Sequence, residues 1–151
     1  SINRVPCKHI VVNGLKDDRT KDTIKTAFKI GNNLDCKRIT IVEEINKTEL
    51  DIKVNDDNSL RRANIAKERI KKREDLRVEK ILSEIDCKDT TLKIQSIFGQ
   101  RGYSIGHYAK VKRADLLIMN APSKTRLIDR IFPHDIEYIL SELPTDLLIV
   151  K

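Results

Sequence analysis

Glycine is scarce in this chain of 151 residues, with 5 in all, where average usage of about 7% would place about ten. A protein this poor in glycine has few places to wrap backbone N–H groups around a phosphate, because such loops draw on the positive φ angles that glycine adopts freely. Aromatic residues are also sparse, with no Trp, 3 Tyr and 3 Phe; that argues against a base-stacking platform for single-stranded nucleic acid. The three cysteines, Cys7, Cys36 and Cys87, are odd in number and include no C-x-x-C pair. Neither a metal cage nor a disulfide framework is expected from them, and a reduced, cytoplasmic setting is. Long apolar runs are missing as well. Ala114–Met119 (broken by Asp115) and Leu147–Val150 are the longest, far short of the roughly 18 residues that a membrane-spanning helix needs. No secretory leader is evident, and the first residue is Ser1 rather than Met; a domain excised from a longer protein is among the expectations.

What is present is charge and a regular alternation. Charged residues make up 35% of the chain, above the roughly 25% of an average domain. Hydrophobic residues at 39% still suffice for one core, and the length suits a single domain. The 30 basic and 23 acidic residues leave +7, which permits weak attraction to acidic partners without selecting one.

Periodicity predicts strands at Lys8–Asn13, Arg38–Glu43, Thr91–Phe98, Ala114–Asn120 and Asp146–Val150. Helices are predicted at Asp18–Leu34, with Asp17 or Asp18 as its cap, and at Ser59–Ile85, Ser104–Arg113 and Pro133–Leu143. Residues 46–58, rich in Asn and Asp, read as a polar loop. Strands alternating with helices imply right-handed crossovers and a parallel sheet covered on both faces, which fits the continuously apolar runs IVV, LLIM and LLIV. Ligands of such doubly wound sheets sit beyond the carboxyl ends of the strands. The places to search are therefore Asn13–Asp18, Val42–Ile45, Gly99–Tyr103 and Asn120–Arg126.

The stretch from Phe98 to Asn120 (FGQRGYSIGHYAKVKRADLLIMN) resembles the second half of a universal stress protein domain: strand, glycine-containing turn, short helix, then a strand of the form A-D-L-I-V-M-G. The ending continues the likeness through Glu137-Tyr138-Ile139-Leu140, Leu143-Pro144 and Leu147–Val150, and KHIVVNG and RITIVEE match the first two strands more loosely. The resemblance spans nearly all of residues 1–151. It implies a single α/β domain with a five-stranded parallel doubly wound sheet, adenine-nucleotide-hydrolase-like (Rossmann-like). It also implies a homodimer paired through the C-terminal strand and, in many members, ATP binding without a strong catalytic role. Related domains occur as cytosolic parts of membrane transporters, so a transporter core in the same parent chain is an implied partner and the cytosolic face of a membrane an implied location.

Members that bind ATP carry a loop of the form G-two residues-G-nine residues-G-Ser/Thr after the fourth strand. This sequence departs from it throughout: ungapped counting puts Asn120, Ser123 and Pro133 at the glycines and His134 at the Ser/Thr. Proline lacks an N–H to offer, and serine adopts positive φ poorly. The acidic residue that the family has after its first strand falls at Leu15 by ungapped counting or at Asn13 with a two-residue shift. Asn13, Val42, Met119, Asn120, Ser123, Lys124, Arg126 and His134 are accordingly the candidate binding residues. Lys124, Arg126, Arg130 and Arg101 could hold an anion through side chains instead of backbone, although a solvated charged loop is the plainer reading. Glu43 and Glu44, at the end of the second strand, would disfavour a phosphate.

The remaining constellations are weaker. Residues 61–73 contain Arg61, Arg62, Lys67, Arg69, Lys71, Lys72 and Arg73 against Glu68 alone, which reads as a solvated helix face ahead of a nucleic-acid or lipid site. Arg77 interrupts that helix's narrow apolar stripe, which also allows docking against another chain. His9, His107 and His134 share no register and suggest structural roles, and no nucleophile–base–acid set is evident. The expectation is a non-catalytic regulatory or binding module with no bound cofactor. The alternative is an ATP- or AMP-responsive sensor with an altered phosphate site; an enzyme and a nucleic-acid binder rank below both.

Overall fold

A computed structural model describes residues 7–14, 18–46, 52–86, 90–99, 103–120 and 146–150. The elements are β1 (Ile10–Asn13), α1 (Thr20–Asn33), β2 (Arg38–Asn46), α2 (Asp57–Leu82), β3 (Thr91–Gly99), α3 (Tyr103–Val111), β4 (Leu116–Asn120) and β5 (Asp146–Val150). The five strands form one sheet in the order β3-β2-β1-β4-β5, and every neighbouring pair is parallel. The expected doubly wound sheet is present. The helix expected at Pro133–Leu143 lies outside the described residues.

Side-chain alternation along the strands divides the core in two. Ile10, Val12, Ile39, Ile41 and Ile118 face one side, where they pack with Ile24, Ala27 and Phe28 of α1 and Val78 and Leu82 of α2. Val11, Val42, Leu117 and Met119 face the other, against Ile105 and Ala109 of α3. A central strand buried on both faces has no polar side to show, which is why β1 reads as an unbroken apolar run. His9, just before β1, is 4% exposed and shares a 2.8 Å hydrogen bond between its Nε2 and Thr40 Oγ1. Burial, then the charge of Arg38, holds its pKa below the usual value, as suits a neutral core histidine.

Several boundaries depart from the sequence reading, among them α2 ending at Leu82 instead of Ile85, α3 at Val111 instead of Arg113, and β1 and β4 starting at Ile10 and Leu116 instead of Lys8 and Ala114. α1 starts after Arg19, which occupies the cap position with no side-chain cap bond, so Asp18 does not serve there; Asp17 is not among the described residues. β2 runs on to Asn46 and α2 begins at Asp57, so the polar stretch 46–58 gives residues to both. The start of α2 is set by a reciprocal capping box: Asp56 accepts from the Ser59 N–H at 2.7 Å, and the Asp56 N–H donates to Ser59 Oγ at 3.0 Å.

The shortage of glycine shows at the helix ends. α1 and α3 both close with an N–H bonded five residues back, Cys36 to the Gly31 carbonyl at 2.7 Å and Ala114 to the Ala109 carbonyl at 2.9 Å. That pattern places a left-handed residue just after the helix, a position usually taken by glycine. Here Asp35 (φ 55°) and Arg113 (φ 54°) take it.

Candidate functional site

The carboxyl ends of β1, β2 and β4 meet at one edge of the sheet, and there the alternation that divides the core also divides the candidate residues. Asn13, Val42, Glu44 and Met119 belong to the α3 side, whereas Glu43 and Asn120 belong to the side covered by α1 and α2. Glu43 and Glu44, adjacent in sequence, therefore act in different surroundings.

Asn120 is 1% exposed. Its Nδ2 donates to Thr20 Oγ1 at 3.1 Å and its Oδ1 accepts from the Thr23 hydroxyl, so the first turn of α1 holds both ends of the amide. Gly14 follows β1; its N–H donates to the Val42 carbonyl at 2.8 Å, and its own carbonyl accepts from Arg77 Nη2 at 2.5 Å. A Cβ at Gly14 would come within 2.9 Å of Ile41 Cγ2, so this approach of the chain to β2 suits glycine.

Arg77 thus does more than interrupt an apolar stripe. It reaches from α2 over the end of β1 and pairs with buried Glu74 at 2.7 Å. Sequence reasoning missed this role because an arginine on an inward helix face gives no sign of its partner. Glu44 accepts from the Ile105 N–H at 3.0 Å, in the first turn of α3. A helix N-terminus that could otherwise attract an anion is thereby met by a carboxylate of the same chain.

Glu43 is 2% exposed. Burial, then the charge of Asp75, pushes its carboxyl up to about 7 against the opposing pull of Arg77; Glu74 raises it further, and a hydrogen bond from Ser96 lowers it. The Ser96 hydroxyl lies 3.3 Å from both Glu43 Oε2 and Asp75 Oδ1. On the other face Asn13 is 1% exposed, and its Oδ1 has no hydrogen-bond partner among the described residues. Ser123, Lys124, Arg126 and His134, together with Leu15, Arg101, Arg130 and Pro133, lie outside the described residues. Among the described residues no cluster of His, Cys, Asp and Glu could hold a metal ion, and no helix is long and apolar enough to cross a membrane.

The seven basic residues of 61–73 are exposed on α2. Exposed Leu60, Ile65 and Leu76 stand among them along a concavity of about 1000 Å³ on that helix's outer side.

Solved structures share this architecture. A universal stress protein in complex with cAMP superposes with a TM-score of 0.61 at 16% identity, covering 97% of this chain and 98% of its own. UspA from Lactobacillus plantarum gives 0.65 at 14% identity over 98% and 100%. The universal stress protein from Archaeoglobus fulgidus in complex with dAMP gives 0.57 at 11% identity over 97% and 100%. The chain has the universal stress protein fold, as the residues around Ala114–Asn120 suggested. No protein-family model matches the sequence, and no curated protein matches it.

Proposed function

We propose that the chain is a non-catalytic regulatory module of universal stress protein type with a degenerate nucleotide loop, working as the cytosolic part of a larger assembly such as a membrane transporter. The observation that carries this reading is a carboxyl edge whose polar groups, among the described residues, are in large part already bonded within the chain, Asn13 Oδ1 and Glu43 Oε1 excepted. Asn120 is bonded to Thr20 and Thr23, the Gly14 carbonyl to Arg77, and Glu44 to the N-terminal turn of α3. Polar groups bonded to one another in this way must be pulled apart before they can serve a phosphate, and each buried bond broken without replacement costs about 1–3 kcal/mol. The position that matches the family's first loop glycine is thus occupied by a side chain with a structural task. Calorimetric titration with ATP and AMP, with and without magnesium, tests the reading. No heat of binding at millimolar nucleotide is expected, and micromolar affinity would overturn it.

A second reading, an ATP- or AMP-responsive sensor, is favoured by Asn13. Its buried Oδ1 lacks a protein donor among the described residues at the position where a shifted register puts the family's acidic residue, and two fold neighbours were solved with cAMP and dAMP. On that reading nucleotide raises the melting temperature, and Asn13→Ala removes the rise.

A further inference from the structure

The spacing of the cysteines in sequence suggests no pairing, yet the fold brings two of them together at the amino edge of the sheet. The segment entering β1 is fixed against the start of β4. The Asp115 carboxylate accepts from the N–H groups of Lys8 at 2.7 Å and His9 at 3.0 Å, and the Asp115 N–H donates to the His9 carbonyl at 2.9 Å. Cys36 is fixed independently, by its N–H bond to Gly31 in the turn that closes α1 and by its thiol, which donates to the Arg38 carbonyl at 3.6 Å. The register that sets Ile10 beside Ile39, followed three residues back along both segments, brings Cys7 level with Cys36. Cys7 packs against the α1–α2 core that contains Cys36. Cys36 is buried and Cys7 half-buried, so one of the two sulfurs is open to a small reagent.

We propose that Cys7 and Cys36 form a reversible intramolecular disulfide on exposure to a peroxide. The Cys7 thiolate attacks one peroxide oxygen, the O–O bond breaks, and hydroxide leaves and is protonated to water, with a sulfenic acid left on Cys7. The Cys36 sulfur then attacks the Cys7 sulfur, and the hydroxyl departs with the Cys36 proton as a second water. Two thiols lose two protons and two electrons in all, and hydrogen peroxide takes them up to become two waters. Two thiols level with each other on the segments leading into neighbouring strands have a short way to close to the roughly 2.05 Å of an S–S bond. Burial, then the hydrogen bond and charge of Cys36, then the charge of Asp115, push the Cys7 thiol up to about 12. Little thiolate is therefore present at neutral pH, and the reaction is slow, responding to sustained oxidation. Once formed, the bond ties the segment before β1 to the turn after α1 and closes a loop containing both elements, which restricts the unfolded chain.

The test uses the full chain, incubated with excess hydrogen peroxide, unfolded in an alkylating agent, digested and read by mass spectrometry, with a parallel thermal melt. The expected result is a linked peptide pair joining Cys7 to Cys36, lighter by two hydrogens, and a melting temperature higher by about 5–10 °C. Dithiothreitol should reverse both. Cys87→Ser should keep the link and the shift, and Cys7→Ser and Cys36→Ser should each lose them. If Cys36→Ser fails to fold, the half-buried Cys7→Ser decides alone. Recovery of Cys7 and Cys36 as separately alkylated or separately oxidised peptides, or a link from either to Cys87, would overturn the proposal.

Discussion

At Glu43 a carboxyl group is almost wholly removed from water and faces Asp75, Glu74 and Arg77 from α2 and Ser96 from β3. Its folded-state pKa, about 7 against an ordinary 4.5, means that the folded protein holds this proton more tightly than the unfolded chain does. The stability it contributes is present in full below about pH 4.5 and is lost as pH rises through about 7. Replacement by a neutral amide removes that dependence. Glu43→Gln is expected to match the parent near pH 4 and to exceed it by about 3–4 kcal/mol at pH 8, a difference set by the shift at roughly 1.4 kcal/mol per unit. Urea unfolding of both proteins across this range is the measurement, and parallel curves would refute it. The environment of Glu43 was only partly legible beforehand. Its place near the mouth followed from the end of a strand, but the opposite facing of Glu44 follows only once β2 is seen to run on to Asn46, past the Glu43 end expected from sequence. The task of Asn120 was not legible, because Thr20 and Thr23 lie about a hundred residues away in the chain, and one sequence carries no mark of such a pairing.

Among the elements, strand cores were easier to read than helix ends. Runs such as IVV and LLIM are apolar on both faces because helices cover both, so pattern and burial agree. Helix starts were harder, because Asp56 and Ser59 reciprocate without the usual Ser/Thr-x-x-Glu form, and Arg19 starts α1 with no side-chain cap. Helix ends without glycine give a direct prediction. Arg113 sits at φ 54°, a conformation that costs an ordinary side chain about 1 kcal/mol or more, while its own side chain is exposed. Arg113→Gly should relieve that strain and stabilise the protein by about 0.5–1 kcal/mol, after the extra freedom glycine gives the unfolded chain. Asp35→Gly should gain less, because aspartate tolerates the left-handed region better. Denaturant midpoints for the two variants decide the ranking.

For the whole molecule, β5 closes one end of the described sheet, with β4 on its inner side. A parallel edge strand leaves one row of N–H and C=O groups to be met, and pairing with a second copy through β5 meets them symmetrically. Sedimentation in the micromolar range is expected to give the mass of two chains, with β5 amides slow to exchange; a monomer at those concentrations would remove the interface. The strand order was not legible, since alternation alone does not say which strand lies in the middle. The middle position of β1 carries a cost in time. β1 pairs on one side with β2, which follows it closely, and on the other with β4, through contacts such as Ile10 with Leu116. During synthesis this fully buried strand therefore emerges well before β4 and must wait for it with one edge bare. Folding that depends on such distant partners is slow, and a nascent chain caught in that interval presents Ile10, Val11 and Val12 to any other unfinished strand nearby. The burden this fold places on a cell is thus heaviest before the sheet closes.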